Sequence, residues 1–147
     1  MLVSSIRWGR AVLGAVVAEA TQIALAVAWV AVYSLVLAPG QPEAAYQAHA
    51  QASGPWVSIL LGAPVFYAAS RWIARDLRTA LVLFVVFLGL DLALLVVVPG
   101  SSLDPVLLLL MTTSYATKLV ACGLGGRHAA RRRAVASATA GTEAAPS

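Results

Sequence analysis

Four long apolar segments, separated by short polar ones, dominate the sequence. They cover residues 11–38, 56–74, 79–98 and 105–124. An α-helix needs about 20 apolar residues, at about 1.5 Å each, to cross the hydrocarbon core of a bilayer. Each segment is therefore long enough to span a membrane. The pattern predicts an all-α fold, an integral membrane four-helix bundle, with one transmembrane domain over residues 1–126.

Residues that stop or start helices stand at the predicted boundaries. We expect the first helix to end at Pro39-Gly40, the second to start at Ser53-Gly54-Pro55, the third to end at Pro99-Gly100, and the fourth to open at Asp104-Pro105. Residues 39–54 then form an exposed loop, with a short helix over residues 42–49. Within the second span, Pro64 predicts a kink because proline removes a helix hydrogen bond.

Composition agrees with a membrane protein. Hydrophobic residues make up 61% of the chain and charged residues 11%, and the mean hydropathy is +0.86. Soluble domains average about 45–50% apolar and about 25% charged residues. A soluble domain of this size is therefore excluded.

The positive charges predict an orientation. Arginines occur before the first span, between the second and third, and after the fourth, namely Arg7, Arg10, Arg71, Arg75, Arg78, Arg127, Arg131, Arg132 and Arg133. Neither residues 39–54 nor residues 99–104 contain lysine or arginine. Because cytoplasmic loops carry the excess of positive charge, we expect both termini in the cytoplasm, as in a multi-pass protein of a bacterial plasma (inner) membrane.

The two ends of the chain carry further expectations. Arg7, Arg10 and the apolar run after them resemble the start of a secretory signal peptide, but Glu19 interrupts that run, so we expect the segment to remain as a span. Residues 127–147 form a basic tail that we expect to be disordered. Its arginines, Arg127, Arg131, Arg132 and Arg133, are expected to bind lipid headgroups at about 1 kcal/mol each. We expect no nucleic acid partner, because no folded basic surface follows.

Three ionisable residues lie inside the predicted spans: Glu19, Asp91 and Lys118. An Asp or Lys at the centre of a membrane helix costs about 2.5–3.5 kcal/mol, so these groups should face the bundle interior and find partners. Glu19 lies nine residues after Arg10, and Lys118 lies nine residues before Arg127. At about 1.5 Å per residue, both therefore lie about 13 Å from the cytoplasmic boundary. Matched depth predicts a direct Glu19–Lys118 pair, with Asp91 as the alternative partner of the lysine.

Helical spacing extends this set. Glu19 and Gln22 start a stripe of residues three and four apart on the first helix, and Ser114, Tyr115 and Lys118 lie on a comparable stripe of the fourth. The intramembrane polar candidates are therefore Glu19, Gln22, Asp91, Ser114, Tyr115 and Lys118. Tyr67 on the second helix is a further member. The set predicts a structural salt bridge that fixes helix register, a relay for protons or ions, or placement against lipid or another chain.

No sequence pattern for catalysis or for a metal or cofactor site is present. Cys122 is the single cysteine and His49 and His128 have no spaced partners, so we expect a buried thiol, two solvated imidazoles and no metal. The chain also lacks a Ser/His/Asp set and a Gly-rich phosphate loop, and we expect neither an enzyme nor a cofactor-binding protein.

Two functions remain. Small residues at Gly14 and Ala18 and at Gly123, Gly125 and Gly126 offer faces for close helix contact. These faces favour an accessory or scaffolding protein in the lipid bilayer, acting as a homo-oligomer or with a membrane protein partner. The alternative is a proton- or ion-linked translocator that uses Glu19, Asp91 and Lys118.

Two short runs carry a resemblance. The run RWGRAVLG at residues 7–14, followed by Ala18-Glu19, resembles the opening of small uncharacterised bacterial four-helix membrane proteins. The run TKLVACGLGG at residues 117–126, followed by the arginine tail, is similar to their last span. The resemblance implies four spans and a bacterial origin, and it implies no activity.

Overall fold

The structure, a computed structural model, describes residues 6–97 and 105–143. Four α-helices account for most of this part: α1 over Trp8–Val32, α2 over Glu43–Ala69, α3 over Leu77–Val97 and α4 over Pro105–Glu143. π-helical turns continue α1 over Tyr33–Leu37 and α2 over Ser70–Ala74. All four helices are long and apolar enough to cross a membrane. The predicted all-α class with four membrane-length helices is confirmed.

The helices pack as a bundle in which neighbours in sequence are not always neighbours in space. The main interfaces join α1 to α2 and α3, and α4 to the same two helices. The order around the bundle is therefore α1, α2, α4, α3. As a result, α1 and α4 face each other across the diagonal, and side chains of both helices reach the centre.

Small residues let the helices approach closely, and large ones fill the space that remains. Ala11, Ala15 and Ala18 form a fully buried face of α1, and a side chain added at Gly14 would collide with Leu83 of α3. On α4, a Cβ at Gly125 would lie 2.5 Å from the backbone oxygen of Tyr67. Thus the small faces predicted for Gly14, Ala18 and Gly125 pack within this chain.

The second helix begins earlier than predicted. Residues 43–54 were expected to be loop with a short helix, whereas α2 runs without interruption from Glu43 through Pro55 and Pro64. Alanine has the highest helix propensity, and the stretch before Pro55 is rich in it. Prolines are tolerated in membrane helices where the freed backbone groups find other partners. The connection between α1 and α2 is therefore reduced to a few residues around Gly40, whose φ is +79°.

The fourth helix is also longer than predicted. The tail was expected to be disordered from residue 127, but α4 continues as a helix to Glu143. Alanine and arginine, which dominate the segment after Arg127, are both strong helix formers. At about 1.5 Å per residue the helix is longer than the hydrocarbon thickness of about 30 Å requires. Pro105 opens α4 as predicted, while Pro99-Gly100 and Asp104 lie outside the described residues.

The start of α1, the α2–α3 connection and the far part of α4 meet at one end of the bundle. The backbone N–H of Arg7 donates to Thr79 Oγ1 at 3.4 Å, and a Cβ at Gly126 would lie 3.0 Å from the backbone oxygen of Asp76. Asp76 in turn caps α3, since its Oδ1 accepts from the Thr79 N–H at 2.8 Å. The arginines named above therefore cluster at this end, called the arginine end below.

Arg75 closes the π-helical turn in a left-handed conformation. Its φ is 64°, the only positive φ of a non-glycine residue in the described part of the chain. A left-handed backbone costs an L-residue about 1–2 kcal/mol, and glycine is the usual residue at such a helix end. An arginine is therefore held here at a conformational cost.

Candidate functional site

Lys118 of α4 is buried at the centre of the bundle. Only 1% of the residue is exposed, and its Nζ donates a hydrogen bond of 2.9 Å to Ser58 Oγ of α2. The ammonium also lies 4.8 Å from the ring centroid of Phe87 on α3 and 5.6 Å from that of Phe66 on α2. Cation–π attraction of this kind is strongest where water is excluded, so the aromatic rings partly replace the hydration of the ammonium.

Gly62 provides the space for the lysine stem. A Cβ at this position would lie 2.6 Å from Lys118 Cε and 3.1 Å from Gln22 Oε1. Gly62 lies four residues after Ser58, so both face the same side of α2. The second helix therefore offers a hydroxyl for the ammonium and a gap for the chain that carries it.

Ser58 joins three helices through one hydroxyl group. Its Oγ lies 3.0 Å from Gln22 Nε2 of α1, 2.9 Å from Lys118 Nζ and 3.0 Å from Ser114 Oγ of α4. A serine hydroxyl has two acceptor lone pairs and one proton to donate. Gln22 and Lys118 are donors only at these atoms and fill both lone pairs. Ser58 must therefore donate its own proton to Ser114.

Asp91 brings the third helix into the cluster. The Tyr115 hydroxyl of α4 donates to Asp91 Oδ2 at 2.5 Å. This hydrogen bond joins α4 to α3 inside the bundle. Tyr115 also borders Lys118, with its ring centroid 5.9 Å from the Lys118 Nζ. The acid, the phenol and the ammonium thus form a continuous polar region between α3 and α4.

Glu19 reaches the same region from α1 without a direct bond. Its Oε2 is buried and has no hydrogen-bond partner, and no ion pair within 4.0 Å connects Glu19 or Asp91 to Lys118 in the described part of the chain. The predicted direct Glu19–Lys118 pair is therefore wrong, because Ser58 of the intervening helix α2 receives the ammonium instead. Both carboxylates still act electrostatically on Lys118, Asp91 more strongly than Glu19.

A cleft of about 210 Å³ leads to this cluster between α2, α3 and α4. Gly54, Pro55 and Leu107 line it on the side away from the arginine end. Its polar lining consists of Ser58, Asp91, Ser114, Tyr115 and Lys118. The cleft therefore extends from the buried lysine along α2 and α4 in the direction away from the arginine end.

The structure brings all six predicted polar residues together, and sequence reasoning missed two members of the site. Glu19, Gln22, Asp91, Ser114, Tyr115 and Lys118 all belong to the cluster. The missed residues are Ser58, which receives the lysine, and Gly62, which makes room for it. Ser58 and Gly62 lie four residues apart on one helix. A hydroxyl group next to a glycine on the same helix face is the sequence signal that indicates a cation-binding face.

Tyr67 does not join the cluster. Its hydroxyl lies 2.8 Å from His128 Nδ1 of α4 and accepts a hydrogen bond of 3.0 Å from Arg71 Nη1. His128 is exposed, as predicted, although its ring nitrogen has this hydroxyl as a partner. His49 is not simply solvated, since its ring stacks on that of Tyr33 at 3.5 Å between centroids. Cys122 is fully buried, as predicted.

The tail arginines separate into two groups. Arg132 and Arg133 line a cavity together with Arg71 and Arg75, whereas Arg127 and Arg131 are exposed outside it. No family model, curated protein or solved structure matches this chain.

Proposed function

We propose that this chain is a proton- or ion-linked translocator of a bacterial plasma membrane, with both termini in the cytoplasm. The observation that supports it is the buried Glu19 Oε2, which has no hydrogen-bond partner among the described residues although Glu19 lies within electrostatic reach of a second acid and an ammonium. A purely structural ion pair would satisfy its own members. A carboxyl oxygen with a free lone pair inside a membrane is a site for a proton or cation, and intramembrane acids commonly mark such pathways.

The cleft supports the same function. It extends from Lys118 and Asp91 in the direction away from the arginine end, and Tyr115 bridges the acid to the region of the lysine. Glu19 lies closer to the arginine end, about 13 Å from it along α1. A proton that enters through the cleft therefore meets Asp91 first, and Glu19 is the next carboxyl group toward the cytoplasm.

Proton flux into proteoliposomes tests this proposal. Purified full-length protein is reconstituted with a pH-sensitive dye, and flux is started with a potassium diffusion potential. We expect Glu19→Gln and Asp91→Asn each to reduce the protein-dependent flux at least about tenfold, in the range of effects found for proton-transfer groups. Glu43→Gln is the matched control, because Glu43 is exposed and bonded only to Gln47 of its own helix.

The result that contradicts the proposal is equally clear. If wild-type protein conducts neither protons nor Na⁺ or K⁺ above empty liposomes, the translocator function is wrong. If flux is present but Glu19→Gln and Asp91→Asn behave like Glu43→Gln, the pathway does not use these acids.

An accessory or scaffolding function through helix contacts is the second candidate. It is favoured by an apolar groove of about 490 Å³ between α1 and α2, lined largely by small side chains such as Ala26, Ala31 and Ala50. A membrane helix from a second copy of the chain fits a groove of this kind, since small residues allow close approach. Ala50→Trp would fill the groove, and loss of a cross-linked dimer in membranes would support this function.

A further inference from the structure

A cavity at the arginine end gathers positive charge from two separate parts of the chain. It measures about 220 Å³ and is lined by Arg71, Trp72 and Arg75 at the end of α2 and by Ala129, Arg132 and Arg133 of α4. Its lining therefore contains four guanidinium groups and no carboxylate. The two sets of arginines lie about 60 positions apart in sequence, and only the fold brings them together.

The charges around the cavity are largely uncompensated. The guanidinium groups of Arg132 and Arg133 have no hydrogen-bond or ion-pair partner among the described residues, and Arg10 of α1 adds a further positive charge within electrostatic reach of Arg75 and Arg133. The Asp76 carboxylate attracts Arg10 electrostatically, and its Oδ1 already accepts a hydrogen bond from the Thr79 N–H. Like charges held together repel one another unless an anion lies between them.

The chain holds the arginines in place at some cost. Arg71 Nη1 donates to Tyr67 at 3.0 Å, and Tyr67 also bonds His128 of α4, so the same tyrosine orients an arginine and docks the helix that supplies the others. Arg75 Nε donates to the Trp72 backbone oxygen at 2.9 Å, and Arg75 keeps the left-handed conformation described above. Glycine would adopt this left-handed backbone conformation at a lower cost, so an arginine at this position indicates that its guanidinium group has a role.

We infer that this cavity binds a phosphate group, with anionic membrane phospholipid as its source. A guanidinium presents paired N–H donors that match phosphate oxygens, and several such groups around one small cavity suit a single anion better than a diffuse surface does. Trp72 is 68% exposed at the rim, and tryptophan favours the headgroup level of a bilayer. This site is separate from the intramembrane cluster and does not depend on translocation.

Native mass spectrometry of the full-length protein in detergent tests the inference. Phosphatidylglycerol and phosphatidylcholine are titrated separately, and sn-glycerol 3-phosphate serves as the soluble phosphate. We expect phosphatidylglycerol to bind at least about tenfold more tightly than phosphatidylcholine, because only the former keeps a net negative charge for the arginines. Tight binding of glycerol 3-phosphate as well would uphold the phosphate site and assign it a soluble ligand.

Charge-matched variants locate the site. Arg75→Gln with Arg132→Gln should weaken phosphatidylglycerol binding at least about tenfold, since two charge-assisted contacts are lost. Arg78→Gln with Arg131→Gln removes the same charge from exposed positions outside the cavity and should change the affinity less than about twofold. Arg75→Gly serves as a variant that relaxes the backbone, and it should weaken lipid binding without lowering the melting temperature.

Two results would overturn the inference. One is equal binding of phosphatidylglycerol and phosphatidylcholine by the wild-type protein, combined with no binding of glycerol 3-phosphate. The other is an equal loss of affinity in the cavity variant and its charge-matched control, which would show that net charge rather than this cavity attracts the lipid.

Discussion

At the residue scale, the polar cluster depends on how one lysine is accommodated without water. Lys118 replaces its hydration with the Ser58 hydroxyl, with two aromatic faces and with the field of two carboxylates. None of these is a direct ion pair. Because Lys118 bonds a hydroxyl group, neither Glu19 nor Asp91 forms an ion pair with it. The titratable groups therefore lie close together, and Glu19 Oε2 has no hydrogen-bond partner among the described residues.

Removing the Ser58 hydroxyl should destabilise the bundle. Ser58→Ala deprives Gln22, Ser114 and Lys118 of their shared partner, and we expect a loss of about 1–2 kcal/mol in unfolding free energy, the upper range measured for membrane hydrogen bonds. Ser53→Ala on the same helix is the control, because Ser53 Oγ bonds only the His49 backbone oxygen. Unfolding in mixed detergent micelles measures both. Equal effects of the two changes would argue against Ser58 as the centre of the cluster.

Adding a methyl group at Gly62 should destabilise the bundle about as much as removing the Ser58 hydroxyl does. A Cβ there meets Lys118 Cε at 2.6 Å, so Gly62→Ala must push the lysine stem away, at an expected cost of about 1–3 kcal/mol. A Cβ at Gly123 meets nothing within 4 Å, so Gly123→Ala should be neutral or stabilise the helix by up to about 1 kcal/mol. Thermal denaturation in detergent compares them.

The Gly62 effect should also depend on the lysine. In a Lys118→Ala background the colliding carbon is gone, so Gly62→Ala should cost measurably less there than in the wild type. An unchanged cost would mean that the added methyl group collides with something other than the lysine.

At the element scale, the sequence predicted where helices exist better than where they end. Apolar length alone identifies four spans, because the bilayer sets a minimum that few other segments meet. The early start of α2 and the long extension of α4 were missed, since Pro55 was taken as a start signal and a polar, alanine-rich tail as disorder. In both segments local helix propensity outweighed the boundary signals.

The sequence predicts which residues form the polar cluster, but it does not predict which of them bond to one another. Burial cost requires Glu19, Asp91 and Lys118 to face inward, and helical spacing adds Gln22 and Ser114. Their pairing depends on the order of helices around the bundle, which sequence does not reveal. Since α2 lies between α1 and α4, matched depth alone led to the wrong partner for the lysine.

The short connection between α1 and α2 yields a prediction at this scale. Tyr46 of α2 accepts from the Gln41 N–H at 2.9 Å and donates to the Ala38 backbone oxygen at 2.9 Å, so one hydroxyl closes the turn. Tyr46→Phe should cost about 1–2 kcal/mol locally and speed proteolysis near Gly40 several-fold. Tyr33→Phe is the control, because Tyr33 packs edge to face against Tyr46 and its hydroxyl has no hydrogen bond among the described residues. Equal cleavage rates would show that the turn does not rely on this hydroxyl.

At the scale of the whole molecule, charge is distributed along the bundle axis. Nine of the ten lysine and arginine residues are arginines that cluster at one end, and the tenth is the buried Lys118. The opposite end, as far as residues 33–54 represent it, has no positive side chain. The cleft of the polar cluster therefore extends toward the uncharged end, whereas the proposed phosphate-binding cavity lies at the charged end.

Cysteine labelling can determine how this axis is oriented across the membrane. The positive-inside rule places the arginine end in the cytoplasm, so Ala48 should face the outside and Ser137 the inside. Cys122 is the single cysteine and is buried, so Cys122→Ser provides a background for Ala48→Cys and Ser137→Cys at exposed positions. A membrane-impermeant maleimide should label Ala48→Cys in intact cells and Ser137→Cys only after permeabilisation. The reverse labelling would invert the topology and place both the phosphate site and the far end of α4 outside. Labelling of both positions in intact cells would be incompatible with a chain whose four helices all cross the membrane.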